Sequence, residues 1–461
     1  KVAVGFGSCI DVIVPALEVL RLLNVTAPKV SQHHHAIHDL QQFTDAFAYF
    51  FSHGAAAEHY VTDDKFFKSL VDAALETKSA RQVVGGNAPV MLNNFKKLGF
   101  QVLLGAQMTE KLRKMIGDDI LVAGSNVERD DIHLILEYGK GETWGNFESP
   151  RANRFIIHND HNNPMLKSLE EFSVSLKTFK PHLVVVGGLQ MLDNFPFKTG
   201  ERRARLNELA KLLGELDADT HIHFEMAHFT DADCLKDILD TVAYHCDSFG
   251  MNEQELPNLL GLLEDDMLTP SSDPSPRIAT TLDQMRLLFK LLKTRAFEID
   301  EKILKHEKLD DSNKDDIEKA EESNSNDVDD GYKKQPLRKH KITRLHVHTL
   351  AFQVIMTENS SPWKNSMQAA ARAALTANRH TCGSHQINLE ASKILMDDSF
   401  SLTRRESGPR LQVDSSEPVT CWYEDDTDFK VCLAPVIVCT KVVQTVGGGD
   451  NISSSGLVLQ I

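Results

Sequence analysis

The chain has 461 residues, 41% of them hydrophobic and 25% charged, which excludes disorder throughout, a collagen-like repeat and a disulfide-stapled miniprotein. Lys and Arg against Asp and Glu give 50 − 66 = −16, so neither a nucleic-acid backbone nor an anionic membrane surface suits the whole molecule as a partner. No apolar run approaches the ~18 to 20 residues a membrane helix needs.

In chain order, Val2 to Phe6 reads as a buried strand, with Asp11 expected at its end. The chain starts at Lys1 without an initiator Met, so a leader or anchor is expected to have been removed or left out. Residues 12–85 break the βα rhythm. They hold a helix pattern over Leu40 to His53 and a His33-His34-His35 run expected to be a solvated loop. After Gly85-Gly86-Asn87-Ala88 come strands at Gln101 to Gly105 and Ile120 to Ala123. Residues 128–160 carry short alternating strands, Ile132 to Glu137 and Arg154 to His158, which suggests a small sheet inserted twice into a larger domain. Strands at His182 to Val186 and His221 to Glu225 then alternate with helices at Leu166 to Thr178, Arg202 to Leu216 and Asp283 to Lys302. Between His306 and Asp330, eleven acids stand against three lysines, half of the net charge. Residues 306–340 are therefore expected to form a disordered insertion ending in the basic patch Lys333, Lys334, Arg338 and Lys339. Strands are expected again at Ile342 to Val347 and Pro435 to Thr440. The alternation is that of an α/β fold with a mostly parallel sheet.

Chemistry concentrates where strands end. Thr445 to Leu457 (TVGGGDNISSSGL) places three glycines before a helix, so their N–H groups can converge on an anion, with Asp450 in the first turn where it can deprotonate an attacking hydroxyl. No GxxxxGK[ST] is present. His221, His223 and Glu225 share one face of a strand, and a carboxylate there suits Mg²⁺ on phosphates better than zinc. Asn252-Glu253-Gln254-Glu255 is a capping box whose side chains can also hold metal-bound waters. Gly86-Asn87 and Asp11 are suited to sugar hydroxyls, and His346 with His348 reads as a packed or hydrogen-bonded pair.

Seven cysteines form no CxxC; Cys421 and Cys432 flank a hairpin-length loop and can be a disulfide or two thiols. Asn24-Val25-Thr26 and Asn359-Ser360-Ser361 are sequons.

With these residues in order, the sequence resembles the ADP-dependent sugar kinases, a branch of the ribokinase-like superfamily. The HxE of His223 and Glu225, the NxxE of Asn252 and Glu255 and the GxGD of Gly447 to Asp450 carry the resemblance, joined by Gly187-Gly188-Leu189-Gln190 and by Arg344 to Thr349 (RLHVHT). It implies a large three-layer α/β/α domain (1–11, 86–127 and 161–461) with a discontinuous α/β lid (12–85 and 128–160). It implies glucose phosphorylation from ADP, with Asp450 as base and Glu225, Asn252 and Glu255 positioning Mg²⁺. Arg154, in the segment Pro150 to Phe155, would reach the transferred phosphoryl group, while Gly447, Gly448, Gly449 and His348 would face the nucleotide phosphates. Asp11, Glu58, Gly86, Asn87 and His133 would contact glucose. Cys9 stands where relatives often have Asn, and Asn87 where archaeal ones have Gln.

The alternatives are an ADP-dependent phosphofructokinase, in which a small residue replaces Glu58, an ATP-using sugar kinase, and a catalytically silent sugar- or nucleotide-binding regulator. The resemblance places the chain in the lumen of the endoplasmic reticulum if animal-like and in the cytoplasm if archaeal. A monomer is the expected state.

Overall fold

The computed structural model describes all residues except 266, 269–272, 274, 319–341, 407 and 425–426, with backbone alone for 265 and 302–318. A ten-stranded sheet forms the centre of the larger part. Its parallel portion runs, in spatial order, Arg344–His348, Ser248–Asn252, His221–Glu225, Leu183–Val186, Val2–Gly5, Val102–Gly105 and Leu121–Ala123. Phe352–Glu358, Phe429–Pro435 and Thr420–Tyr423 extend one edge antiparallel. Helices cover both faces, which is why Val2–Gly5, Val102–Gly105 and Leu183–Val186 are apolar throughout. Ala3, Val184 and Val186 enter one core, and Val2, Val4, Leu183 and Val185 enter the other.

A second sheet of five strands runs Ala57–Tyr60, Asn153–His158, Ile132–Tyr138, Cys9–Pro15, Arg81–Gly85. Its core is aromatic: Phe155 meets Phe43 and Phe47 edge-on at 6.2 and 5.8 Å between ring centres. Among the described residues no helix is long and apolar enough to cross a membrane.

Several expectations need correction. Asp11 lies inside Cys9–Pro15, a strand of the small sheet, and not at the end of the first strand, which stops at Gly5. The His33 run is no simple solvated loop. Its His33 ring packs 5.6 Å from Phe50 and 5.9 Å from His59, because the neighbouring helix Leu40–His53 offers an aromatic wall. Pro435 to Thr440 is split, Ile437–Cys439 pairing antiparallel with Ser392–Ile394. The helix expected from Asp283 runs Ile278–Glu318 and takes in the start of the acidic stretch; residues 319–341, with the basic patch, lie outside the described residues. Disulfides join Cys421 to Cys432 and also Cys382 to Cys439, 57 residues apart, a pair that spacing alone did not suggest.

Candidate active site

The parallel strands end at Gly5, Val186, Glu225, Asn252 and His348, and the small sheet faces those ends across a cleft of about 610 Å³. Asp11, Glu58, Gly86, Asn87, His133, Arg154, Glu225, Asn252, Glu255, His348, Gly447, Gly448, Gly449 and Asp450 all line it.

Gly447 takes φ 67°, a left-handed conformation that opens the helix Gly448–Leu457. The first turn of a helix has N–H groups without intrahelical acceptors, so it favours an anion. A Cβ on Gly449 would come 3.2 Å from His348 Cε1, so His348 packs tightly against this turn. Burial pushes His348 down to about 4, and its Nε2 has no partner among the described residues. Asp450 is oriented by a chain of amides: Gln190 Nε2 donates to Asn87 Oδ1 at 2.7 Å, and Asn87 Nδ2 donates to Asp450 Oδ1 at 2.9 Å. Burial raises Asp450 to about 6 against the opposing pull of the Asn87 bond and the Arg154 charge. Gly86, φ 87°, starts the Asn87 helix where a Cβ would lie 2.4 Å from the Gly7 carbonyl oxygen.

Across the cleft the capping box is complete. Asn252 N and Nδ2 donate to the two Glu255 oxygens at 2.8 and 2.9 Å, and Glu255 N donates to Asn252 Oδ1 at 2.9 Å. Burial, with repulsion from Glu253 and Asp450, raises Glu255 to about 8. Glu225, also buried, is driven well up by desolvation and then by Asp450. Behind it runs a relay of donors. Arg344 Nη1 donates to Ser248 Oγ at 2.9 Å, Ser248 to His223 Nδ1 at 2.8 Å, and His223 Nε2 to Glu225 Oε2 at 2.9 Å. This order requires a neutral His223, in line with a pKa held well below normal by burial and by Arg344.

At the other end, Asp11 and His133 are neighbours in a parallel strand pair. A Cβ on Gly85 would fall 1.8 Å from Asp11 Oδ1, so the carboxylate sits where only glycine leaves room. His133 Nε2 is 3.1 Å from Asp160 Oδ1, and its Nδ1 is 3.7 Å from Glu58 Oε1. Burial lowers His133, yet Asp160, then Glu58 and Asp11, outweigh it and lift it to about 10. Burial raises Asp11 to about 6.

Arg154 Nη1 reaches Asn153 Oδ1 at 3.4 Å, while its Nε is buried without a partner among the described residues. Arg151, three residues earlier, pairs with Glu253 at 3.6 Å and ties the small sheet to the capping box.

Asp160 and Ser248 were not singled out from the sequence, while Gln190 and Glu253 were named only as members of the Gly187-Gly188-Leu189-Gln190 and Asn252-Glu253-Gln254-Glu255 segments, without roles of their own.

Residues 1–459 match the conserved region of the ADP-specific phosphofructokinase/glucokinase family. The chain is 30% identical to an ADP-dependent glucokinase of Bos taurus, over 99% of this chain and 84% of that one. It is 26% identical, at the same coverage, to a probable ADP-dependent glucokinase of Caenorhabditis elegans. A solved ADP-dependent kinase in complex with fructose-6-phosphate and ADPβS superposes with TM-score 0.65 at 18% identity, over 99% of this chain and 92% of that one, and shares the fold.

Proposed function

Because the chain belongs to the ADP-specific phosphofructokinase/glucokinase family, we propose that it transfers the terminal phosphoryl group of ADP to the 6-hydroxyl of D-glucose, releasing glucose 6-phosphate and AMP. The observation that carries this reading is a half-buried carboxylate, Asp450, in the first helical turn beside three glycines, in one cleft with the acids Asp11 and Glu58.

Asp450 accepts the proton of O6 as that oxygen bonds to phosphorus; the bond from phosphorus to the bridging oxygen breaks, and AMP leaves. Transfer of this kind asks the protein mainly for position and charge neutralisation. The N–H groups of Gly447 to Gly449, with Arg154 and His348, supply both on the phosphoryl oxygens. Asp11, Gly86, Asn87 and His133 orient the sugar. Glu58 selects glucose, since a carboxylate at that end repels the phosphate of fructose 6-phosphate.

Glu225, Asn252 and Glu255 fit Mg²⁺, being oxygen donors on one side of the cleft, and the raised pKa values of the two glutamates are ones a dication would relieve. Among the described residues Glu225 and Glu255 belong to no trio of converging Asp, Glu, His or Cys ligand atoms, as suits an ion held largely through its own waters. When bound, the ion neutralises charge on the ADP phosphates.

The small sheet with its helices, 12–85 and 128–160 together with the start of the strand Cys9–Pro15, acts as a lid that excludes water from the reaction. One chain holds every group named, so a monomer suffices. Two disulfides and the exposed Asn24 and Asn359 support a location in the lumen of the endoplasmic reticulum over the cytoplasm.

A coupled assay for glucose 6-phosphate, run with ADP and then ATP and beside fructose 6-phosphate, tests the reading. Product from glucose with ADP supports it; turnover of fructose 6-phosphate alone, or with ATP alone, overturns it.

A further inference from the structure

The cleft holds two chemically different sets of metal donors. The set at Glu225 and Glu255 is oxygen alone. The other lies at the sugar end, where Cys9 Sγ, an Asp11 oxygen and a His133 nitrogen lie within 4.8 Å of one another, all buried. Cys9 Sγ is 3.3 Å from Asp11 Oδ1, and Cys9 is a free thiol outside both disulfides. Glu58 Oε1, 3.7 Å from His133 Nδ1, brings a fourth donor of the right type to the same ring. Sulfur, imidazole and carboxylate together are the donors of a thiophilic divalent ion such as Zn²⁺, which takes four ligands.

A second observation points the same way. The other nitrogen of His133 faces Asp160, which is fully buried and held in turn by Asn163 Nδ2 at 2.7 Å. A carboxylate behind a ligating histidine fixes the ring and strengthens it as a ligand, the arrangement found around bound zinc. Three acids, Asp11, Glu58 and Asp160, gather around His133, with His158 the further imidazole on Asp160. Asp11, Glu58 and His133 line the cleft, so an ion can enter where a sugar would.

We propose that Cys9, Asp11 and His133, with Glu58 beside His133, form a site for a thiophilic divalent metal ion that excludes the sugar, so that zinc-class ions inhibit by occupying the sugar end of the cleft. Binding displaces the thiol proton and a ring proton to solvent, and leaves the protein's oxidation state unchanged. The exclusion of sugar, though not the metal site, rests on the sugar-binding reading above.

Co²⁺ titrated into the full chain, followed by absorption, tests the site. The expected result is a near-ultraviolet thiolate-to-cobalt band that saturates at one ion per chain, is absent in Cys9→Ser, and returns the same negative result in Cys9→Ala. The Cys9→Ser variant should also weaken Zn²⁺ inhibition by roughly tenfold or more. A missing band, or one that persists in both variants and therefore comes from Cys234 or Cys246, overturns the proposal. Should either variant fail to fold, a Cys234→Ser/Cys246→Ser chain must keep the band, and its loss there overturns the proposal equally. Glucose added to the cobalt form separates the two readings: displacement of the band supports both, whereas a Cys9-dependent band that saturating glucose leaves intact overturns exclusion of the sugar while the metal site stands.

Discussion

Asn87 Nδ2 donates to Asp450 Oδ1 across 2.9 Å, joining two residues 363 positions apart in sequence. The bond favours the ionised carboxylate and so holds the Asp450 pKa lower than burial alone would leave it. Asn87→Ala removes it, and the carboxyl then protonates at higher pH. A hydrogen bond to a charged group is worth about 1.5–3 kcal/mol, so the acidic limb of kcat/KM should move up by about one pH unit or more. An unmoved limb would show that Asn87 does not tune the base.

The relay behind Glu225 reaches no substrate, so its effect should be selective. Ser248→Ala leaves His223 Nδ1 without its donor and frees the ring to turn away from Glu225. The Mg²⁺ concentration needed for half-maximal rate should rise by roughly 10- to 100-fold, with KM for glucose little changed and partial rescue by Ser248→Thr. Equal effects on metal and sugar would point instead to a general loss of packing.

Glu255 is raised to about 8 without a metal, so near neutrality it holds a proton that Mg²⁺ must displace. Mg²⁺ affinity should therefore climb as pH rises towards about 8 and level off above it. Calorimetry in buffers of different ionisation enthalpy reads the released proton directly, and a pH-independent affinity with no proton release would contradict the assignment.

Glu58 at the sugar end sets the choice of acceptor. Glu58→Ala should lower kcat/KM for glucose by about 10- to 100-fold, the cost of one hydrogen bond to a charged group, and improve fructose 6-phosphate relative to glucose. A variant that keeps the full preference for glucose would remove Glu58 from the selection.

The sequence was most legible where one physical rule dominates. Strands such as Leu183–Val186, buried on both faces, read as unbroken apolar runs, and the Leu40–His53 helix was legible from its apolar spacing, with Asp39 and Gly54 capping its ends in the structure. Thr445 to Leu457 and Asn252 to Glu255 were legible because turn and cap chemistry is local. What stayed hidden depends on distant partners. The strand Cys9–Pro15 was missed because Asp11 breaks its apolar pattern, and that carboxylate is tolerated only by the missing side chain of Gly85 on the neighbouring strand. Asp160 and Ser248 had no local motif; their roles come from His133 and His223, which the fold brings to them. The Cys382–Cys439 pair depended on how the helix Ser366–Thr381 packs beside Ile437–Cys439.

The central claim is that Asp450 takes the proton from the attacking hydroxyl, and the Asp450→Asn variant tests it most directly. With saturating ADP, Mg²⁺ and glucose, rapid-quench measurement of glucose 6-phosphate in the first turnover should show transfer slowed by ~10²- to 10⁴-fold, while ADP binding measured by calorimetry stays near that of the unaltered chain. First-turnover transfer within a few-fold of the unaltered rate would contradict the account.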